Sequence, residues 1–201
     1  MHFSSKIEGL KNKLKARNNI ISKLAGSTWG SDTTVLRVLA LALVYSVAEY
    51  CALVWFSSYC KKVFTELNQT MRIITGSIRT TEVQWLPVLE NIAPPDPRRL
   101  MHAERMVDKI KRNPKLPLYE NITTHPHKSL KSRHPIWDLT FPVEALSITW
   151  KTQWKDSGVR GVTLIENPEI RTPGFDLPRK LWSTLNRIRT EQGRCKSLLH
   201  K

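Results

Sequence analysis

Acidic residues are scarce in this chain and nowhere adjacent. The sequence holds 17 Asp and Glu against 32 Lys and Arg, and no two acids are neighbours. Polymerase-type chemistry needs carboxylates gathered on two metal ions, so their dispersion argues against it here. There is also no Gly-rich phosphate loop, no nucleophile elbow and no zinc-protease helix. No catalytic residue, cofactor or metal is expected, and an enzyme acting alone is the wrong class. Cysteine is nearly as sparse. Cys51, Cys60 and Cys195 cannot make a disulfide framework, which fits a reducing compartment, nucleus or cytoplasm. Residues 1–15 are polar and basic with no apolar stretch, so no signal peptide is expected. His125, His127 and His134 sit in a Pro-broken polar stretch without Cys or paired carboxylates, and read as loop residues rather than ligands. Cys195 and His200 make at best half of a zinc pattern.

What the chain has instead is positive charge. Its formal net charge is +15 and its pI about 10.0. The excess lies in three clusters, over residues 6–23, 96–133 and 176–201. One Lys-rich helix is ordinarily a solvated face; three clusters with few acids favour a polyanion partner, the backbone of RNA or DNA. Candidate phosphate contacts are Lys11, Lys13, Lys15 and Arg17 in the first cluster, with Arg187, Arg189 and Arg194 in the last.

The periodicity is helical almost throughout. Ile7, Leu10, Leu14, Ile20, Ile21 and Leu24 form a stripe on a first helix ending before Gly26. Asp32 is placed to cap a second helix over residues 35–56, apolar on nearly every side. Glu49, inside it, calls for a partner such as Arg72, and Leu43 is expected in the core. A third helix, from residue 58 or 60 to 75, carries Val63, Leu67, Met71 and Ile74 at helical spacing, with Gly76 as its C-cap. A short helix starts at Thr80 or Thr81, with Pro87 ending or kinking it. Asp96 and Pro97 open another, reaching about Arg112 with Leu100, Met101, Met106, Val107 and Ile110 as its apolar face. Residues 113–134 lose the pattern and read as a linker. Residues 141–154 suit a weaker helix or two strands, and 160–165 a short strand. Asp176 is placed to cap a final helix over 177–191, striped by Leu181, Leu185 and Ile188 and broadened by Trp182.

Seven Trp residues are many for this length. Trp55 and Trp182 have apolar neighbours and suit a core. Trp150 and Trp154, flanked by Lys151 and Lys155, are the candidates for stacking on bases, with packing in the interior as the alternative.

Ordered sets of residues also carry a family likeness. They include Ala42-Leu43-Val44-Tyr45-Ser46, Ala48-Glu49-Tyr50-Cys51, Val54-Trp55, Leu67-Asn68, Met71-Arg72-Ile73-Ile74-Thr75-Gly76 and Leu86-Pro87-Val88-Leu89. Ile7 to Leu14, Leu24 to Gly30, Ile92 to Pro95, and Leu177 to Thr190 with Gly193-Arg194-Cys195 extend it over nearly the whole chain, with residues 116–150 weakest. Together they resemble the region after the polymerase palm in reverse transcriptases of jockey-like non-LTR retrotransposons. Leu53 departs from that pattern, which usually has proline there, and residues 101–107 follow it less closely. The resemblance implies a thumb and C-terminal extension lacking the palm aspartates, the endonuclease and the zinc motif. It implies a non-catalytic fragment of an RNA-directed DNA polymerase, or a degenerate element copy, with a palm-containing polypeptide as a further partner.

The expected architecture is mainly α: a thumb-like helical bundle around a central apolar helix over residues 1–112, an irregular linker over 113–140, and a C-terminal helical extension over 141–201. Two other classes stand beside a nucleic-acid binder. One is a single-pass membrane protein with residues 38–56 as its span; Glu49 inside that window weighs against it. The other is a helical protein-interaction module.

Overall fold

The computed structural model describes residues 3–26, 29–50, 61–124 and 146–193. It is mainly helical, without strands among the described residues. The helices are α1 (Phe3–Leu24), α2 (Thr33–Ala40), α3 (Ser46–Glu49), α4 (Lys61–Thr75), α5 (Trp85–Glu90), α6 (Pro95–Lys111), α7 (Tyr119–Thr123), α8 (Leu146–Lys155) and α9 (Arg179–Arg189).

The main core lies between α1, α2 and α4. Leu14 and Ile21 of α1, Leu36 and Ala40 of α2, and Val63, Leu67, Met71 and Ile74 of α4 are all buried. This is the stripe expected of α1 and α4, save that Ile20 is 52% exposed. Asp32 caps α2 as expected, accepting from the Val35 N–H at 2.7 Å.

The helix expected over residues 35–56 is shorter and less enclosed. α2 continues through a π-helical turn, Leu41–Tyr45, into α3. Tyr50 then leaves helical geometry at ψ 125°. Val35 and Val38 are 44% and 56% exposed. The inward residues are Leu36, Ala40, Val44, Tyr45 and Ala48, an ordinary amphipathic stripe. Apolar residues on the outer face are tolerated singly, which is why composition overstated the burial. Residues 51–56, Leu53 included, lie outside the described residues. Among the described residues no helix is long and apolar enough to cross a membrane.

The helix enclosed on every side is α5. All six of its residues are buried. Leu86 joins the main core, while Trp85, Val88 and Leu89 enter a second core with Trp150, Trp154, Val159 and Ile165. Pro87 neither ends nor kinks it. Pro87 is the third helical residue, where a missing N–H has no intrahelical partner to lose. The C-cap is Asn91 in the left-handed region, φ 57°.

α6 opens at Pro95 with Pro94 as N-cap, two residues earlier than a cap at Asp96 with Pro97 as first helical residue. Its buried residues are Pro97, Arg99, Ala103, Val107 and Ile110, and Met106 is 43% exposed. The start of the expected linker folds back as α7, whose Ile122 packs with Val107 and Ile110. Residues 125–145 lie outside the described residues. Residues 146–155 form α8 rather than strands, and the strand expected over 160–165 is a turn followed by a 3-10 turn, Val162–Leu164. Its conformation is fixed by side chains from the interior: Trp85 Nε1 donates to the Arg160 carbonyl at 3.3 Å and Trp154 Nε1 to the Ile165 carbonyl at 2.7 Å.

α9 starts at Arg179, and Asp176 makes no capping bond to it. Its buried residues are Arg179, Trp182 and Asn186, followed by Thr190. The expected stripe is turned away: Leu181 and Ile188 are 55% and 62% exposed. The inward face is polar because it meets the C-terminal end of α4. Arg179 donates to the carbonyl oxygens of Ile73 and Ile74, Asn186 to Thr75 O at 2.9 Å, and Arg187 to Gly76 O at 3.2 Å. A helix end leaves carbonyls without intrahelical donors, and α9 supplies them. Gly76, at φ 68°, admits this approach: a Cβ there would lie 2.1 Å from Ser183 Oγ.

Candidate nucleic-acid interface

α1 and α4 are held together by a buried polar contact. Asn18 Nδ2 donates to the Glu66 carbonyl at 2.9 Å and to Glu66 Oε2 at 3.3 Å, while its Oδ1 accepts from the Thr70 hydroxyl at 2.6 Å. Beside this contact α1, α4 and the turn after α4 line a groove of about 740 Å³. Lys15, Asn19 and Ser22 line it from α1, Thr65, Asn68, Gln69 and Arg72 from α4, and Ser77 and Arg79 from the turn that follows. Three cations, Lys15, Arg72 and Arg79, face one acid, Glu66.

Arg72 is built into the wall. It does not reach Glu49; its guanidinium donates to the carbonyls of Ile78 at 3.3 Å and Thr81 at 3.1 Å. Burial lowers its pKa, and the positive charge of Arg79 lowers it further. Like charges brought together without an acid of their own make an anion-attracting surface. The partner of Glu49 is Arg98, in a two-pronged ion pair at 2.7 and 2.9 Å, with His102 at 3.4 Å.

The residues singled out in sequence fall in different places. Lys15 lines the groove. Lys11 donates to Glu8 at 2.9 Å, and Glu8 also receives Lys62 at 2.6 Å. Those two ammonium groups pull the Glu8 carboxyl down to about 2. Lys13 is exposed. Arg17 donates to the carbonyl of Leu43 in the π-helical turn. Arg187 is bonded to Gly76, the residue before groove-lining Ser77. Arg189 donates to the carbonyl of Pro173 and packs 5.7 Å from the Trp182 ring centroid. Arg194 lies outside the described residues. The fold thus places Lys15 in the groove, ties Arg187 to Gly76 at the start of the turn that lines it, and commits Arg17 and Arg189 to backbone carbonyls. Sequence reading missed Arg72 and Arg79, because single arginines outside a charge cluster gave no signal.

The stacking candidates are interior. Trp150 and Trp154 are 6% and 3% exposed, and Trp154 meets Trp85 edge-on at a centroid distance of 4.9 Å. Among the described residues no group of three or more His, Cys, Asp or Glu side chains is placed to hold a metal ion. His125, His127, His134, Cys195 and His200 lie outside them.

The second concentration of ionisable groups is buried. Glu90 is fully enclosed, and its Oε2 accepts from the Tyr45 hydroxyl at 3.0 Å. Burial raises the carboxyl to about 8, against the opposing pull of Tyr45, Arg37 and Arg98. This pair joins α5 to the π-helical turn and has no route to solvent, so it serves packing and not recognition. No protein-family model, no curated protein and no solved structure matches the chain.

Proposed function

We propose that the chain is a non-catalytic nucleic-acid-binding segment of a jockey-like reverse transcriptase, gripping RNA or DNA by its phosphates. The observation that carries the reading is the α1–α4 groove, where Lys15, Arg72 and Arg79 outnumber Glu66. Glu66 is itself engaged by Asn18. The amides of Asn19 and Gln69 and the hydroxyls of Ser22 and Ser77 add uncharged donors beside the cations. Charged and uncharged donors side by side are how phosphate oxygens are held, positioning a strand without reading its sequence. The net charge of +15 extends the attraction beyond the groove. The polymerase origin, and a palm-containing polypeptide as second partner, rest on the family resemblance of residues such as 42–51 and 71–76.

The test is binding of the purified chain to labelled single-stranded RNA and DNA across a salt series. Affinity should fall linearly with salt on logarithmic axes. Lys15→Gln and Arg79→Gln should each lower the slope by about one without changing sequence preference. Binding that ignores salt, or a slope unchanged in the double variant, overturns the reading.

A further inference from the structure

We infer that the apolar pocket beside the groove receives one unstacked nucleobase, while the phosphates on either side of it lie in the groove. This rests on the nucleic-acid reading above and adds the strand form it selects.

The pocket, of about 300 Å³, opens between α4, α5 and α8, at the small end of ligand pockets (about 300–1,000 Å³). Its walls are Phe64, Met71, Trp150 and Trp154. Asn68, Gln84, Gln153 and Asp96 supply its polar atoms, and no cation lines it. Side-chain amides present a donor and an acceptor together, and a carboxylate accepts from an amino group; these match the edges of bases. The chemistry is therefore split between two adjoining cavities: three cations in the groove, none in the pocket. A nucleotide is split in the same way, with an anionic phosphate and a flat, uncharged base.

The two cavities meet. Asn68 and Val83 line both. On α4, Phe64 and Met71 face the pocket, Thr65, Gln69 and Arg72 face the groove, and Asn68 stands where the two faces join. A strand whose phosphates follow Lys15, Arg72 and Arg79 can turn one base past Asn68 into the pocket. A paired base cannot make that turn without leaving its stack, so the arrangement selects single-stranded over duplex nucleic acid.

The experiment compares three probes across a salt series that begins low: single-stranded oligothymidylate, the same backbone carrying abasic residues, and a blunt duplex of equal length. The binders are the parent chain and Gln84→Ala/Gln153→Ala, two exposed positions whose truncation leaves both cores intact. The expected result is binding of the base-bearing strand by the parent about tenfold or more tighter than the abasic strand, with the duplex weaker than oligothymidylate. In the double variant that ratio should fall toward one while the salt slope stays the same. Equal affinity for base-bearing and abasic strands, with a steep salt dependence, overturns the base pocket and leaves the phosphate reading standing. A base preference that survives the double variant overturns the placement in this pocket. Failure of every strand to bind overturns the phosphate reading and this inference with it.

Discussion

Asn186 donates its side-chain amide to the carbonyl oxygen of Thr75 at 2.9 Å, with both residues fully buried. Together with Arg179 and Arg187 it turns α9 into the C-terminal cap of α4. Removing the amide strands a buried carbonyl, and a buried acceptor left unsatisfied costs about 1–3 kcal/mol. Asn186→Ala should therefore lower stability by that amount in urea unfolding. Ser183→Ala, on the same helix, removes one hydroxyl and should cost less. Equal effects would mean that α9 is held by its packing alone.

That cap shows what was legible in the sequence and what was not. Local signals held: the stripe of Val63, Leu67, Met71 and Ile74 is buried, Asp32 caps α2, and Gly76 ends α4 with positive φ. Each depends only on neighbours in the chain. The face of α9 failed because its orientation is set by carbonyls more than 100 positions away. Hydrophobic periodicity chose Leu181 and Ile188, whereas the orphan carbonyls of α4 needed donors and drew in Arg179 and Asn186. For Trp150 and Trp154 the sequence left stacking and interior packing both open, and packing won: their rings complete the core around α5. Of the candidate site, Lys15 was legible from its cluster. Arg72 and Arg79 belong to the groove only because α4 and the turn after it are packed beside α1.

The ion pair of Glu49 and Arg98 ties α3 to α6, and its side chains are only 16% and 18% exposed. The Arg98 guanidinium also lies 5.1 Å from the Tyr45 ring centroid. Two-pronged bonds between charged groups in this setting are worth about 1.5–3 kcal/mol. A double-mutant cycle of Glu49→Gln and Arg98→Met should return a coupling energy in that range. The same cycle built on Glu49 and Arg72 should return a value near zero, since no contact joins them.

Leu36 and Leu43 are chemically identical probes of the helix once expected to be enclosed all round. Leu36 is 0% exposed, whereas Leu43 only borders the core. Leu36→Ala should cost about 2–5 kcal/mol, the range for a fully buried leucine. Leu43→Ala should fall below it, since less apolar area leaves water there. Matching losses in urea unfolding would restore the all-round burial that the exposed Val35 and Val38 deny.

Glu90 gives stability a pH dependence of unusual sign for a carboxylate. Its ordinary value is 4.5, and burial raises it to about 8 in the folded protein. The charged and titratable groups that act on it are Tyr45, Arg37 and Arg98, with Glu49 acting on Tyr45 and Arg171 on Arg37. Between these two values the folded chain binds a proton that the unfolded chain has released. Stability from this group is therefore fully present below about 4.5, falls as pH rises, and is lost above about 8. Glu90→Gln keeps an oxygen to accept from Tyr45 and cannot ionise. The variant should unfold at a higher urea concentration than the parent near pH 8, and the gap should close as pH falls toward 4.5. Other titrating groups are common to both proteins and cancel in the difference. A gap that stays constant from acid to alkaline pH would mean that Glu90 does not change its charge on folding, and that the Arg37 and Arg98 guanidinium groups keep it ionised in the core.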